Sequence, residues 1–156
     1  MTDRDASNTF GWPSFPSSKE KNKVQRAVTA LLDALAPEAA LTRAERATVR
    51  IEQHRTPEGC VLQGDSAALS VSWFAESTEA SALGELHIVV WHGVVSRRGG
   101  PARRPGTAAS IHSTLILHPV EQSVDGCDWH TSQGTRYDTA ALGTHCLALL
   151  EAELAR

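Results

Sequence analysis

The sequence lacks the segments that direct a chain into or across a membrane. No run approaches the roughly 18 apolar residues that a spanning helix needs. The polar start Met-Thr-Asp-Arg-Asp has no apolar signal-peptide segment. The three cysteines, Cys60, Cys127 and Cys146, are odd in number and far apart, so they do not indicate a disulfide framework. We therefore expect a cytoplasmic protein with no membrane contact.

A basic surplus and the common catalytic motifs are also missing. Fifteen Lys and Arg face 18 Asp and Glu, and a net charge of −3 argues against a nucleic-acid protein that relies on overall charge. The sequence contains no nucleophile elbow, phosphate-binding glycine loop, dinucleotide fingerprint or paired-carboxylate motif. The segment Gly64-Asp65-Ser66 resembles the start of an esterase signature, but Ala67 replaces its leucine, so we interpret it as a turn. We predict no cofactor and favour a non-enzymatic role.

The residues that are present indicate one folded domain. Hydrophobic residues make up 41% of the 156 residues and charged residues 21%, which is globular composition. We predict a flexible tail over residues 1–18 and a single domain over 19–156. The tail contains Phe10, Trp12 and Phe15. These aromatics are either incidental or dock on an apolar surface, because aromatic side chains are scarce in fully solvated segments.

Two amphipathic helices are predicted near the chain ends. Ser17-Ser18-Lys19-Glu20 fits a capping box, an apolar stripe with three- and four-residue spacing follows, and Pro37 ends the helix. A second capping-box pattern spans Thr42 to Glu45. Asp138 is a predicted N-cap for the last helix, in which Gly143 costs about 1 kcal/mol relative to alanine.

Between the helices, polar and apolar residues alternate with the two-residue period of strands. About six strands, joined by short turns, should pair antiparallel as a meander. The helices each need an apolar surface, and one face of the sheet provides it. The fold class we predict is therefore α+β, an antiparallel sheet with the N- and C-terminal helices packed on one face.

The register of the hairpin within Leu83 to Val120 assigns its side chains to two faces. A one-residue slip would exchange those faces, so the apolar pattern fixes them. The predicted core face contains Leu86, Ile88, Val90 and Val94 from one strand and Ile111, Leu115 and Leu117 from the other. The predicted open face contains His87, Trp91, His112, Thr114 and His118, joined by Arg50 and Phe74 from earlier strands. Of the hairpin histidines, His92 alone falls on the helix side.

This open face is too apolar to be left wholly exposed to water and too polar to be an ordinary core. Three explanations of its composition compete. It is an interface with a second copy or another protein, a surface covered by the aromatic tail, or the lining of a small-molecule pocket. We favour a non-enzymatic binding or assembly module that self-associates as a homodimer. A small-ligand or metal-dependent enzyme site on the same face is the alternative.

Two weaker features complete the candidate sites. His87 and His118 would be near neighbours across adjacent strands and are weak metal candidates, although we predict no metal site. The hairpin loop carries Arg97, Arg98, Arg103 and Arg104 among glycines and prolines. It is either a solvated tip or an arm that contacts phosphate or an acidic partner, and we expect nucleic-acid binding least.

Overall fold

A computed structural model describes residues 18–36, 51–76, 83–95, 109–121 and 126–156. These residues form two helices and seven strands, in chain order α1 (Ser18–Ala34), β1 (Glu52–Arg55), β2 (Gly59–Gln63), β3 (Ala67–Phe74), β4 (Glu85–His92), β5 (Ser110–Glu121), β6 (Cys127–Thr131), β7 (Arg136–Tyr137) and α2 (Thr139–Leu154). Each strand pairs antiparallel with its sequence neighbours, so the sheet order is the chain order. The predicted α+β meander with terminal helices is confirmed, with seven strands instead of about six.

Both helices cover the same face of the sheet, which we call the inner face. Helix α2 packs against β3, β4 and β6 as well as against α1. The buried stripe of α1 includes Val24, Val28 and Leu31, and that of α2 includes Leu142 and Leu150. This arrangement satisfies the apolar stripes of both helices with one shared layer.

The core lies between the helices and the inner face. Its fully buried side chains include Leu62, Leu69, Leu86, Ile88, Leu117 and Trp129. Trp129 meets Trp73 edge-on at 5.8 Å between ring centroids, and its indole nitrogen donates to Oγ1 of Thr139 at 3.3 Å. Burying each large apolar side chain contributes about 1.5–3 kcal/mol, so this layer dominates the stability of the fold.

One end of each helix is stabilised by a side chain that lies outside that helix. The predicted N-cap of α2 is confirmed, because Oδ1 of Asp138 accepts a hydrogen bond from the backbone nitrogen of Ala141 at 2.7 Å. At the end of α1, Nε2 of Gln53 donates to the carbonyl oxygen of Leu35 at 2.9 Å. That contact satisfies a carbonyl group that lacks a partner inside the helix.

The pairing of β4 with β5 contains a β-bulge that the sequence does not indicate. Val90 pairs with Ser113 but Trp91 pairs with Ile111, so His112 is an extra residue in β5. An extra residue changes which face the following side chains occupy. The predicted faces are right for Leu86, Ile88, Val90, Leu115 and Leu117 and wrong for Ile111, which pairs with Trp91 and is exposed. Val94 lies beyond the end of β4 and is also exposed.

Several predicted features lie outside the described residues. They are the tail aromatics, Ser17 of the first capping box, the second capping-box pattern, Pro37, Arg50 and the four loop arginines. Within the described residues, no helix is both long enough and apolar enough to cross a membrane.

Candidate functional site

The face of the sheet opposite the helices, which we call the outer face, contains five of the six predicted binding residues that lie in the described ranges. Strand pairing places Ser72 and Phe74 of β3 beside His87 and Glu85 of β4, and it places Ile116 and Thr114 of β5 beside His87 and Val89. Phe74, His87, Trp91, Thr114 and His118 therefore share one face, as predicted. His112 does not belong to this group.

Exposed apolar side chains lie at the centre of the outer face, at Phe74 and Ile116, and towards the two ends of β5, at Ile111 and Val120. Phe74 is 43% exposed and Ile116 is 40% exposed, while Ile111 and Val120 are also exposed on β5. Phe74 contacts the ring of His87 edge-on, with ring centroids 4.8 Å apart. Apolar patches surrounded by polar groups commonly mark surfaces that associate with another molecule.

A carboxylate joins two of the predicted histidines on this face. Nε2 of His118 donates to Oε2 of Glu85 at 2.9 Å, and Nε2 of His87 donates to Oε1 at 3.2 Å. The hydrogen bonds from His118 and His87 lower the pKa of Glu85 below its ordinary value of 4.5. The two imidazoles predicted to be neighbours are thus linked through Glu85, whose role the sequence pattern did not indicate.

Next to Glu85, His87 and His118 lies a buried histidine nitrogen that forms no hydrogen bond within the described residues. His130 of β6 pairs with His118, and its Nε2 atom is buried without a hydrogen-bond partner in the described part of the chain. Its neighbour Arg136 donates to the carboxylate of Asp128. A buried polar atom without a partner is uncommon in folded proteins, which distinguishes this corner of the outer face.

Trp91 lies at the covered end of the outer face rather than in its exposed centre. Its side chain is only 7% exposed and forms a second small core with Val61, Ala68 and Val95. Its indole nitrogen donates to Oγ of Ser70 at 3.0 Å. Trp91 therefore packs within its own chain, and substitutions there test folding before they test binding.

His112 instead lies beside α2, together with His92. Nε2 of His112 and Nδ1 of His92 each lie 3.4 Å from a carboxylate oxygen of Glu153. The prediction that His92 is on the helix side is correct, and the prediction that His112 joins the open face is wrong because of the bulge. The contact of His112 with Glu153 could not be found from sequence, since it depends on that one extra residue.

The described residues offer few other reactive or metal-binding groups. Burial raises the pKa of the Cys60 and Cys127 thiols to about 11 and that of Cys146 to about 12. Protonated, buried thiols are poor nucleophiles and poor metal ligands. No group of three or more His, Cys, Asp or Glu side chains in the described ranges is arranged to hold a metal ion.

The outer face, with its exposed apolar centre and its Glu85–histidine group, is thus the main candidate site. Arg50 and the loop residues Arg97, Arg98, Arg103 and Arg104 stay predictions, because they lie outside the described ranges. In comparisons with known proteins, no family model, no curated protein and no solved structure matches the chain.

Proposed function

We propose that the chain is a non-enzymatic association module whose outer face docks on the outer face of a second copy. One observation carries the proposal. Every large hydrophobic side chain that is exposed within the described strands, namely Phe74, Ile111, Ile116 and Val120, is assigned to the outer face by strand pairing. Exposed apolar side chains that occur on one face of a sheet and not on the other are typical of an association surface.

The charges on the outer face favour a second copy as the occupant. The face has both signs close together, as Glu85 lies between His87 and His118 and Asp128 is paired with Arg136. A surface with both signs around an apolar centre can complement itself across a two-fold axis. A strongly acidic or strongly basic partner would place like charges against one of these charged groups.

The short edges of the sheet favour association through its face rather than through strand addition. Among the described strands, the edge strands β1 and β7 contain four and two residues. Short edges offer few free backbone groups to an added strand. The face therefore offers the larger surface for docking.

The test is the oligomeric state of the intact chain and of Ile116→Asp, measured by light scattering and sedimentation over a range of concentrations. We expect the wild type to dimerise and Ile116→Asp to weaken dimerisation by about 2 kcal/mol, or roughly thirtyfold in Kd. Ile116 is exposed in the single chain, so the variant should keep its circular dichroism spectrum.

Ala148→Asp is the matched control, because it adds the same charge at an exposed position of α2. It should dimerise like the wild type. A wild-type chain that stays monomeric at all concentrations, or an Ile116→Asp chain that dimerises normally, would contradict the proposal.

A small-molecule site on the same face is the second candidate. The observation that favours it is the Glu85 carboxylate held between two imidazoles, beside the exposed ring of Phe74. This candidate requires a monomer whose outer face stays open, so the same light-scattering measurement separates it from the first.

A further inference from the structure

A cleft on the inner side of the sheet lies where β4 ends, β5 begins and α2 makes its last turn. It has a volume of about 530 Å³ and is lined by His92, Ser110, Ile111, His112, Glu153 and Arg156. His92 pairs directly with Ser110, and the bulge adds His112 beside them. Strands β4 and β5 and the residues that follow α2 thus place three basic side chains, His92, His112 and Arg156, around one opening at the helix side of the sheet.

Glu153 forms the base of this cleft. Its side chain is only 5% exposed, and it lies in the last turn of α2, where the helix dipole disfavours a carboxylate. Basic groups compensate: Oε1 lies 3.4 Å from His92, and Oε2 lies 3.4 Å from both His112 and Arg156. The buried carboxylate therefore positions the basic side chains and presents little of itself to a ligand.

The basic side chains are the exposed part of the cleft. The side chains of His92 and Arg156 are 65% and 61% exposed, and that of His112 is 42% exposed. Each imidazole contacts Glu153 through one ring nitrogen. The lining thus has three basic side chains and one carboxylate.

Arg156 and His112 contact each other at the opening of the cleft. Nη1 of Arg156 lies 2.9 Å from Nδ1 and 3.1 Å from Nε2 of His112. A neutral imidazole can accept a hydrogen bond from this guanidinium, whereas a protonated one is repelled by it. An anion that contacts both groups would remove that repulsion.

We propose that this cleft binds a phosphate group, either as inorganic phosphate or at the end of a small phosphate ester. Arg156, His92 and His112 supply charged donors, and Ser110 supplies a hydroxyl. Donors from three elements suit a tetrahedral anion with several acceptor oxygens better than a planar carboxylate. Glu153 acts as a positioning residue. The site borders the proposed docking surface at Ile111, but its polar donors do not belong to that surface, so the proposal does not depend on dimerisation.

The test follows the ring resonances of the seven histidines by NMR while inorganic phosphate is added to the intact chain. We expect saturable shifts at His92 and His112 and none at His54, which lies on the outer face. Acetate and chloride at equal ionic strength should produce no saturable shift. Absence of saturation, or equal shifts with chloride, would overturn the proposal.

Substitutions then identify the donors. His112→Gln should weaken phosphate binding by about tenfold or more, since it removes a charged donor, and His54→Gln should leave it within about twofold. Equal binding by His112→Gln and wild type would refute the assignment.

Discussion

Glu85 is the side chain that connects the chemistry of the outer face. It accepts hydrogen bonds from histidines on its own strand and on the next one, so a single carboxylate orients both rings. Orienting His87 also fixes its contact with Phe74. The exposed apolar centre therefore depends on a charged group for its shape.

The lowered pKa of Glu85 makes part of the stability depend on acid. Since the folded-state pKa lies below the ordinary value of 4.5, ionised Glu85 stabilises the fold above about pH 4.5. This contribution is lost as the pH falls through the lower folded-state value. Urea unfolding at several pH values should show that Glu85→Gln is less stable than wild type at neutral pH. The difference should shrink under acid.

A second variant checks the cause of that pH dependence. His118→Gln removes the shorter of the two hydrogen bonds and should reduce the acid-dependent loss, because His118 contributes most to the lowered pKa. If wild type and Glu85→Gln lost stability in parallel down to low pH, the role of Glu85 would be disproved.

At the level of residues, the sequence predicts neighbours within regular strands and fails at the bulge. His87 and His118 were expected to be close because side chains alternate regularly between the two faces in the parts of β4 and β5 that contain them. His112 was misplaced because an inserted residue leaves the apolar pattern almost unchanged. The contact of Glu153 with β4 and β5 joins parts of the chain that no local pattern relates.

Gly143 shows why a helix accepts a residue that weakens it. It is buried at the contact between α1 and α2, where an added Cβ atom would lie 3.3 Å from Cβ of Ala34 and 3.8 Å from Cδ1 of Leu31. The helices approach closely because that side chain is missing. The cost of about 1 kcal/mol in helix propensity is thus offset by packing.

Replacing Gly143 with leucine should force the helices apart. We expect Gly143→Leu to lower the free energy of unfolding by about 1–3 kcal/mol, as overpacked core sites do. Urea unfolding followed by circular dichroism measures this change. Ala148→Leu, at an exposed position on the same helix, should change stability by less than about 0.5 kcal/mol. Equal stability of Gly143→Leu and wild type would show that the helix contact is loose.

The helices and strands differ in how clearly the local sequence pattern predicts them. Helix α2 has both a capping aspartate and an apolar stripe, so its start was predicted correctly. Strand β7 was missed because two residues, Arg136 and Tyr137, are too few to show alternation. It exists because Tyr137 and Arg136 pair with Trp129 and His130, which is a tertiary contact.

At the scale of the whole molecule, the reactivity of the three cysteine thiols shows whether the core stays closed. They are free, buried and spread over β2, β6 and α2. Because their raised pKa values keep the thiols protonated at neutral pH, iodoacetamide should modify none of them in the folded chain within minutes. Mass spectrometry should show triple modification in urea. Rapid labelling of Cys146 without urea would mean that the helix layer opens.

The order of the sheet has a consequence for how the chain reaches its fold. Each pair of described strands joins neighbours in sequence, and even the longest connection, from His92 to Ser110, is far shorter than the chain between the two helices. The contact between α1 and α2 instead joins segments from opposite ends of the described chain. The entropy of closing a long loop is therefore concentrated in one step, the meeting of the two helices, and mutations in that layer should mainly accelerate unfolding rather than slow the early pairing of strands.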